Sequence, residues 1–101
     1  MMLLTILHNL TTVEIFGGSY YLLDMNDVCN DKHKEPITNL LDCKEAAETI
    51  PHKSFVMEEI SRDSPSGCYV YGKGIYFNKA VSESRQQGSR SICREEGKTN
   101  I

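Results

Sequence analysis

The stretch Pro65-Ser-Gly-Cys-Tyr-Val-Tyr-Gly-Lys-Gly-Ile-Tyr-Phe-Asn78 decides the fold of this 101-residue chain. Residues 68–71 and 75–78 are rich in aromatic and β-branched side chains, which favour strands. Between them, Gly72-Lys73-Gly74 supplies the backbone freedom that a tight turn needs. The order of these residues therefore predicts a β-hairpin.

Side chains alternate between the two faces of each strand of this hairpin. One face carries the residues that suit a buried core, namely Cys68, Val70, Ile75 and Phe77. The other face carries Tyr69, Tyr71 and Tyr76. We expect the first face to pack against the rest of the domain.

A helix is predicted upstream of the hairpin, with Thr38 as its N-cap and Pro51 as its stop signal. Its apolar face follows the helical period and consists of Leu40, Cys43, Ala47 and Ile50. Because Cys43 belongs to this face, it points inward, where a disulfide could hold the helix on the hairpin.

The segments between these elements carry weaker signals. Residues 30–36 form a polar loop. Residues 52–64 show no sustained period beyond what a short strand or a half-turn would give, and they are interpreted as irregular. Residues 82–91 are a polar loop, and residues 91–94 form a brief closing strand. The tail, residues 95–101, is expected to fray.

The N-terminal extension, residues 1–28, is open to three interpretations. Residues 1–7 resemble the apolar part of a secretory signal, but no basic residue precedes them. Residues 4–23 could instead hold strands that turn at Gly17-Gly18. The chain could also be a fragment of a longer protein.

Four cysteines, Cys29, Cys43, Cys68 and Cys93, lie far apart in the sequence. An even number of widely spaced cysteines in a small domain is typical of an oxidised extracellular protein. Three pairings are compatible with four cysteines, and topology favours Cys29 with Cys93 and Cys43 with Cys68. The alternative is four free buried thiols in a reduced intracellular domain.

The sequence favours neither a metal site nor catalysis, and it implies no cofactor. Structural zinc sites take ligands about two to four residues apart, whereas these cysteines are much more widely spaced. His33 lies near Cys29, but it stands between two lysines in a polar loop. No nucleophile elbow, phosphate-binding glycine loop or metalloprotease motif is present. We therefore expect a protein that is not an enzyme.

The charge pattern also limits the partners. The formal net charge is -3, from 14 acidic and 11 basic residues. Nucleic-acid binding requires clustered Lys and Arg, which this chain lacks. No apolar run approaches the roughly 20 residues that a membrane-spanning helix needs. We expect no nucleic-acid partner and no membrane span.

Several short motifs follow one another in a familiar order: Glu35-Pro-Ile-Thr, Cys43-Lys-Glu-Ala-Ala, Pro65-Ser-Gly-Cys-Tyr-Val-Tyr, Tyr76-Phe-Asn and Ser91-Ile-Cys-Arg. Over residues 29–94 the chain resembles a small cysteine-rich module of secreted and cell-surface proteins of marine invertebrates and algae. The resemblance implies an extracellular setting and a disulfide framework, but no reaction. In outline it is also similar to apple and PAN domains, which bind proteins or sugars. The charged segment 53–63 departs from the module, which is richer in Gly and Ser there.

These observations predict an α+β domain in which one helix packs on a small antiparallel sheet stabilised by disulfides. The expected function is non-catalytic extracellular binding of a protein or carbohydrate. The residues predicted to form the binding surface are Tyr69, Tyr71, Lys73, Tyr76 and Asn78. Alternatively, the tyrosines could pack within the domain. A second hypothesis is a secreted inhibitor or toxin-like effector that inserts the Gly72–Gly74 tip, with Lys73 as its anchor.

Overall fold

A computed structural model describes residues 14–16 and 20–95. The described residues form one α-helix, α1 (Leu40–Thr49), one 3-10 helix (Cys29–Lys32) and seven strands. The strands are β1 (Glu14–Phe16), β2 (Tyr20–Met25), β3 (Lys34–Pro36), β4 (Ser54–Glu59), β5 (Gly67–Tyr71), β6 (Gly74–Asn78) and β7 (Ser89–Glu95). The signal and turn interpretations of residues 1–13 and 17–19, and the tail after Glu95, fall outside the described residues.

The seven strands belong to one sheet in the order β1-β2-β7-β5-β6-β4, with β3 also paired to β7. Most pairs are antiparallel, but β4 runs parallel to β6. The sheet is therefore mixed, which corrects the expectation of a purely antiparallel sheet. Strand β2 lies in the segment interpreted as an N-terminal extension, yet it pairs directly with β7. The described part of that segment thus contributes to the same sheet.

The predicted hairpin is present as β5 and β6. Its register pairs Cys68 with Phe77 and Val70 with Ile75, so these four side chains share one face. Gly72 has a φ of 66°, a conformation that suits glycine in a tight turn. The alternation predicted from the sequence therefore describes both faces of the hairpin.

Helix α1 covers this face and encloses the main core. Its N-cap is Asn39, whose Oδ1 accepts a hydrogen bond of 2.8 Å from the backbone N–H of Asp42, one residue after the predicted cap. The helix buries Cys43, Ala46 and Ala47. The core cluster of buried residues is Leu22, Ile37, Cys43, Ala46, Ala47, Ile50, Cys68, Val70, Ile75, Phe77 and Ile92.

Two disulfides join elements that are distant in sequence. Cys43 of α1 is bonded to Cys68 of β5, and Cys29 is bonded to Cys93 of β7. This is the pairing that topology favoured in the sequence. All four half-cystines are buried, so each bridge lies inside the packed structure. For loops of these lengths, the chain-entropy model gives about 3 to 4 kcal/mol for Cys43–Cys68 and about 4 kcal/mol for Cys29–Cys93.

Strand β4 corrects the prediction that residues 52–64 are irregular. The pairing of β4 with β6 shifts register between Phe55 and Met57, so one extra residue interrupts the alternation. Phe55 packs against the main core, whereas Val56 and Met57 are both exposed. Because this shift removes the period of two, the sequence pattern of a strand is lost.

Two further corrections concern strand β3 and the beginning of strand β7. Strand β3 occupies residues 34–36, within the segment predicted to be a polar loop. Strand β7 begins at Ser89 rather than Ser91, so the loop before it is shorter than predicted. In both cases the strand forms by pairing with a distant partner, a contact that local sequence does not show.

Candidate binding surface

The outer face of the hairpin, opposite α1, carries the predicted tyrosines. Tyr69 and Tyr76 are paired in register, and their rings are stacked with centroids 5.4 Å apart. Tyr69 is only 3% exposed, and its hydroxyl donates a hydrogen bond to the carboxylate of Glu59 on β4. Burial, reinforced by this hydrogen bond, raises the pKa of Tyr69 well above its usual range. Tyr69 is therefore a packed, neutral side chain and not part of an accessible surface.

Asn78 is also part of the packed structure, because it is 2% exposed. Its amide nitrogen lies within hydrogen-bond distance of the carbonyl oxygens of Ser61, Ser64 and Pro65 at 2.7 to 3.1 Å. Its Oδ1 accepts hydrogen bonds from the backbone N–H groups of Ser61 and Ala80. Asn78 thus satisfies the backbone of the segment that leads into β5, which assigns it a structural role.

The remaining tyrosines lie in a more open region. Tyr71 is 45% exposed, and Tyr76 is partly buried. On the neighbouring strand, Val56 is 52% exposed and Met57 is 48% exposed. We call the surface formed by Val56, Met57, Tyr71 and Tyr76 the Tyr71 patch.

Gly74 lies at the centre of the Tyr71 patch. It is paired in register with Tyr71. A Cβ atom added at Gly74 would lie 2.7 Å from Cγ2 of Val56 and 3.0 Å from the ring and hydroxyl of Tyr76. Met57 is paired in register with Tyr76, which places it on the same face. The glycine therefore lets apolar side chains from three strands approach one another.

Lys73 lies in the turn of the hairpin and is exposed. Its carbonyl oxygen accepts a hydrogen bond of 3.2 Å from the backbone N–H of Ser54. The ammonium group of Lys53 donates to the carbonyl oxygen of Gly72 at 3.1 Å. Two contacts thus hold the turn beside the beginning of β4. Lys73 directly precedes Gly74, so it lies at the border of the Tyr71 patch.

The structure separates the five residues predicted to bind. Tyr71, Tyr76 and Lys73 lie at or beside the Tyr71 patch, whereas Tyr69 and Asn78 are buried. Sequence reasoning missed Val56 and Met57. Both belong to the short apolar run 55–57, which stands between polar neighbours. The register shift breaks the alternation within this run, so the sequence shows no strand period there.

The cysteines are not available as metal ligands, because all four are in disulfides. Among residues 14–16 and 20–95, no group of three His, Cys, Asp or Glu side chains is placed to hold a metal ion. Within the same residues, no helix is both long enough and apolar enough to cross a membrane.

Comparison with protein-family models, with curated proteins and with solved structures found no match. The resemblance to a cysteine-rich extracellular module therefore stays a hypothesis.

Proposed function

We propose that this chain is a non-catalytic extracellular module that binds another protein through the Tyr71 patch. The observation that carries the proposal is the exposure of three neighbouring apolar or aromatic side chains, Val56, Met57 and Tyr71, beside the partly buried Tyr76 on the last strands of the sheet. Soluble domains seldom leave clustered large apolar side chains exposed, and such clusters typically mark interaction surfaces. The two buried disulfides are compatible with an oxidising, extracellular location.

A protein partner suits the patch for two reasons. Tyr and Met are enriched in protein interfaces, where a tyrosine ring buries apolar area while its hydroxyl remains hydrogen-bonded. In addition, β4 is the terminal strand of the described sheet, so a partner could contact both its side chains and its backbone. Lys53 and Lys73 lie at the hairpin turn beside the patch and supply the polar rim that such interfaces have.

The inhibitor hypothesis has less structural support. An inhibitor of that kind inserts a protruding loop into its target. Here, Ser54 and Lys53 hold the turn against β4, so Lys73 belongs to a broad surface rather than to a free tip. The two hypotheses differ in the residue that dominates binding.

The proposal can be tested by presenting the oxidised full chain, as a multivalent probe, to an array of defined extracellular protein domains. Tyr71→Ser and Met57→Lys should each abolish binding to any domain that is recognised. Leu41→Lys is the matched control, because Leu41 is an exposed apolar residue on α1, away from the patch. Binding that survives both patch variants and is lost with Lys73→Ala would support the inhibitor hypothesis instead. Failure to bind any domain in the array would count against the proposal.

A further inference from the structure

A second surface lies where β7 exchanges one neighbouring strand for another. Along its first half β7 pairs with β5, from Ser89 to Ser91. Along its second half it pairs on the same side with β3, from Cys93 to Glu95. A cleft of about 490 Å³ opens beside this junction. Its volume is within the range of small-molecule sites, about 300 to 1,000 Å³.

The cleft combines apolar walls with a charged rim. Val28, Pro36 and Pro65 contribute apolar surface to its lining. At the rim, the guanidinium of Arg85 is paired with the carboxylate of Asp31 at 2.9 Å. This ion pair links the loop before β7 to the 3-10 helix, so it bridges two sides of the cleft.

Three polar side chains of the lining have no hydrogen-bond partner within residues 20–95. Ser91 is the most informative, because it is only 5% exposed and belongs to the cleft lining. No group of residues 20–95 is hydrogen-bonded to its hydroxyl, so this hydroxyl can donate to or accept from a ligand in the cleft. The side chains of Asn30 and Glu83 are the other two. Together they offer a hydroxyl, an amide and a carboxylate to a ligand.

We infer that this cleft binds a neutral sugar of one or two rings. Sugar hydroxyls donate and accept hydrogen bonds, which matches the mixed donors and acceptors of Ser91, Asn30 and Glu83. The C–H faces of a sugar ring match the apolar walls. An anionic ligand is disfavoured, because Arg85 is already paired with Asp31 and the carboxylate of Glu83 would repel it. This site is separate from the Tyr71 patch and does not depend on the proposed function.

The test is an NMR titration of the isotopically labelled, oxidised full chain with methyl glycosides of glucose, galactose, mannose and N-acetylglucosamine and with their disaccharides. Glucuronic acid and glucosamine serve as charged comparators. At high millimolar concentration, at least one neutral sugar should shift the amide signals of Asn30, Ser91 and residues 82–85. The signals of the Tyr71 patch should not move.

Two variants link the signal to the cleft. Ser91→Ala should weaken binding about fivefold, and Glu83→Gln should weaken it about tenfold or more, because a hydrogen bond to a charged group is stronger. The matched controls are Ser54→Ala and Glu48→Gln, which lie outside the cleft and should not change the affinity. Ser91→Ala should also leave the unfolding midpoint unchanged or raised, since its hydroxyl has no partner within the described residues.

Three results would overturn the inference. The first is no shift with any neutral sugar. The second is a response to glucuronic acid or glucosamine alone, which would show that charge and not the sugar hydroxyls governs binding. The third is a shift confined to the Tyr71 patch, which would locate sugar recognition on the other surface. Each of these results would count against the inference even if a protein ligand were found on the Tyr71 patch.

Discussion

The two faces of the β5–β6 hairpin are stabilised by different kinds of interaction. The face toward α1 is apolar, and a disulfide fixes it to the helix. The outer face relies on an aromatic stack and on polar side chains, above all Tyr69 and Asn78. The same alternating sequence thus produces an ordinary core on one side and a partly open surface of aromatic and polar side chains on the other. This difference explains why only the outer face has residues available for binding.

The outer face itself is divided. Tyr69 and Asn78 are covered, whereas Tyr71 and Val56 remain exposed beside the hairpin turn. Burial therefore changes along a single face over the length of a strand. A tyrosine near the segments that lead into β5 and out of β6 is therefore covered, whereas a tyrosine beside the hairpin turn is accessible.

The largest effect is expected from removing the disulfides. Cys29→Ala with Cys93→Ala should lower the free energy of unfolding by about 4 kcal/mol, and Cys43→Ala with Cys68→Ala by about 3 to 4 kcal/mol. Since a domain of this size has a total stability of about 5 to 10 kcal/mol, either loss should be readily measured by urea unfolding. If the Cys43 and Cys68 variant were as stable as the unchanged chain, the core face would not need its covalent link.

The next effect concerns the polar part of the outer face. Asn78→Ala should lower the free energy of unfolding by about 2 to 3 kcal/mol, because it leaves several buried backbone groups without a partner. Asn39→Ala, at the exposed N-cap of α1, is the matched control and should cost about 1 kcal/mol. Equal losses at the two positions would show that Asn78 acts only as a local turn residue.

Gly74→Ala tests the close approach of strands beneath the Tyr71 patch. The added methyl group would overlap Cγ2 of Val56, so we expect a loss of about 2 kcal/mol. Val56→Ala removes the overlapping group, so the double variant should recover part of that loss. Additive effects in a double-mutant cycle would mean that Val56 does not contact Gly74 in solution.

A smaller effect is expected from Tyr69→Phe, which removes the hydrogen bond to Glu59 while keeping the ring. The loss should be about 1.5 kcal/mol at neutral pH, and Tyr71→Phe should change the stability by less than about 0.5 kcal/mol. Chemical unfolding of both variants measures the contrast directly. A larger effect at Tyr71 would reverse the assignment of the two tyrosines.

The pH dependence of stability sharpens the same contrast. Because the fold raises the pKa of Tyr69, the folded chain keeps this proton more tightly than the unfolded chain, in which tyrosine titrates near about 10. The stabilisation of the folded chain that comes from this proton is therefore complete below about pH 10 and is lost as the pH rises above it. Tyr69→Phe should reduce the slope of this alkaline loss. An unchanged slope would mean that Tyr69 ionises as easily in the folded chain as in the unfolded chain.

Local patterns in the sequence predicted the hairpin, the helix and the inward direction of Cys43, since each depends on a period or a turn within a short window. They did not predict that β4 pairs parallel to β6, because the register shift at Val56 interrupts the alternation. They also did not distinguish Tyr69 from Tyr71, which occupy equivalent positions in the pattern. Tyr69 is buried where it contacts Glu59 on another strand, and such a contact leaves no local signal.

The most direct test of the disulfide framework is peptide mapping of the folded chain by mass spectrometry, with and without reduction. We predict two linked peptide pairs, one joining Cys29 to Cys93 and one joining Cys43 to Cys68, with no free thiol. Four free thiols in a folded chain, or a link between Cys43 and any cysteine other than Cys68, would contradict both the attachment of the helix to the hairpin and the extracellular proposal built on it.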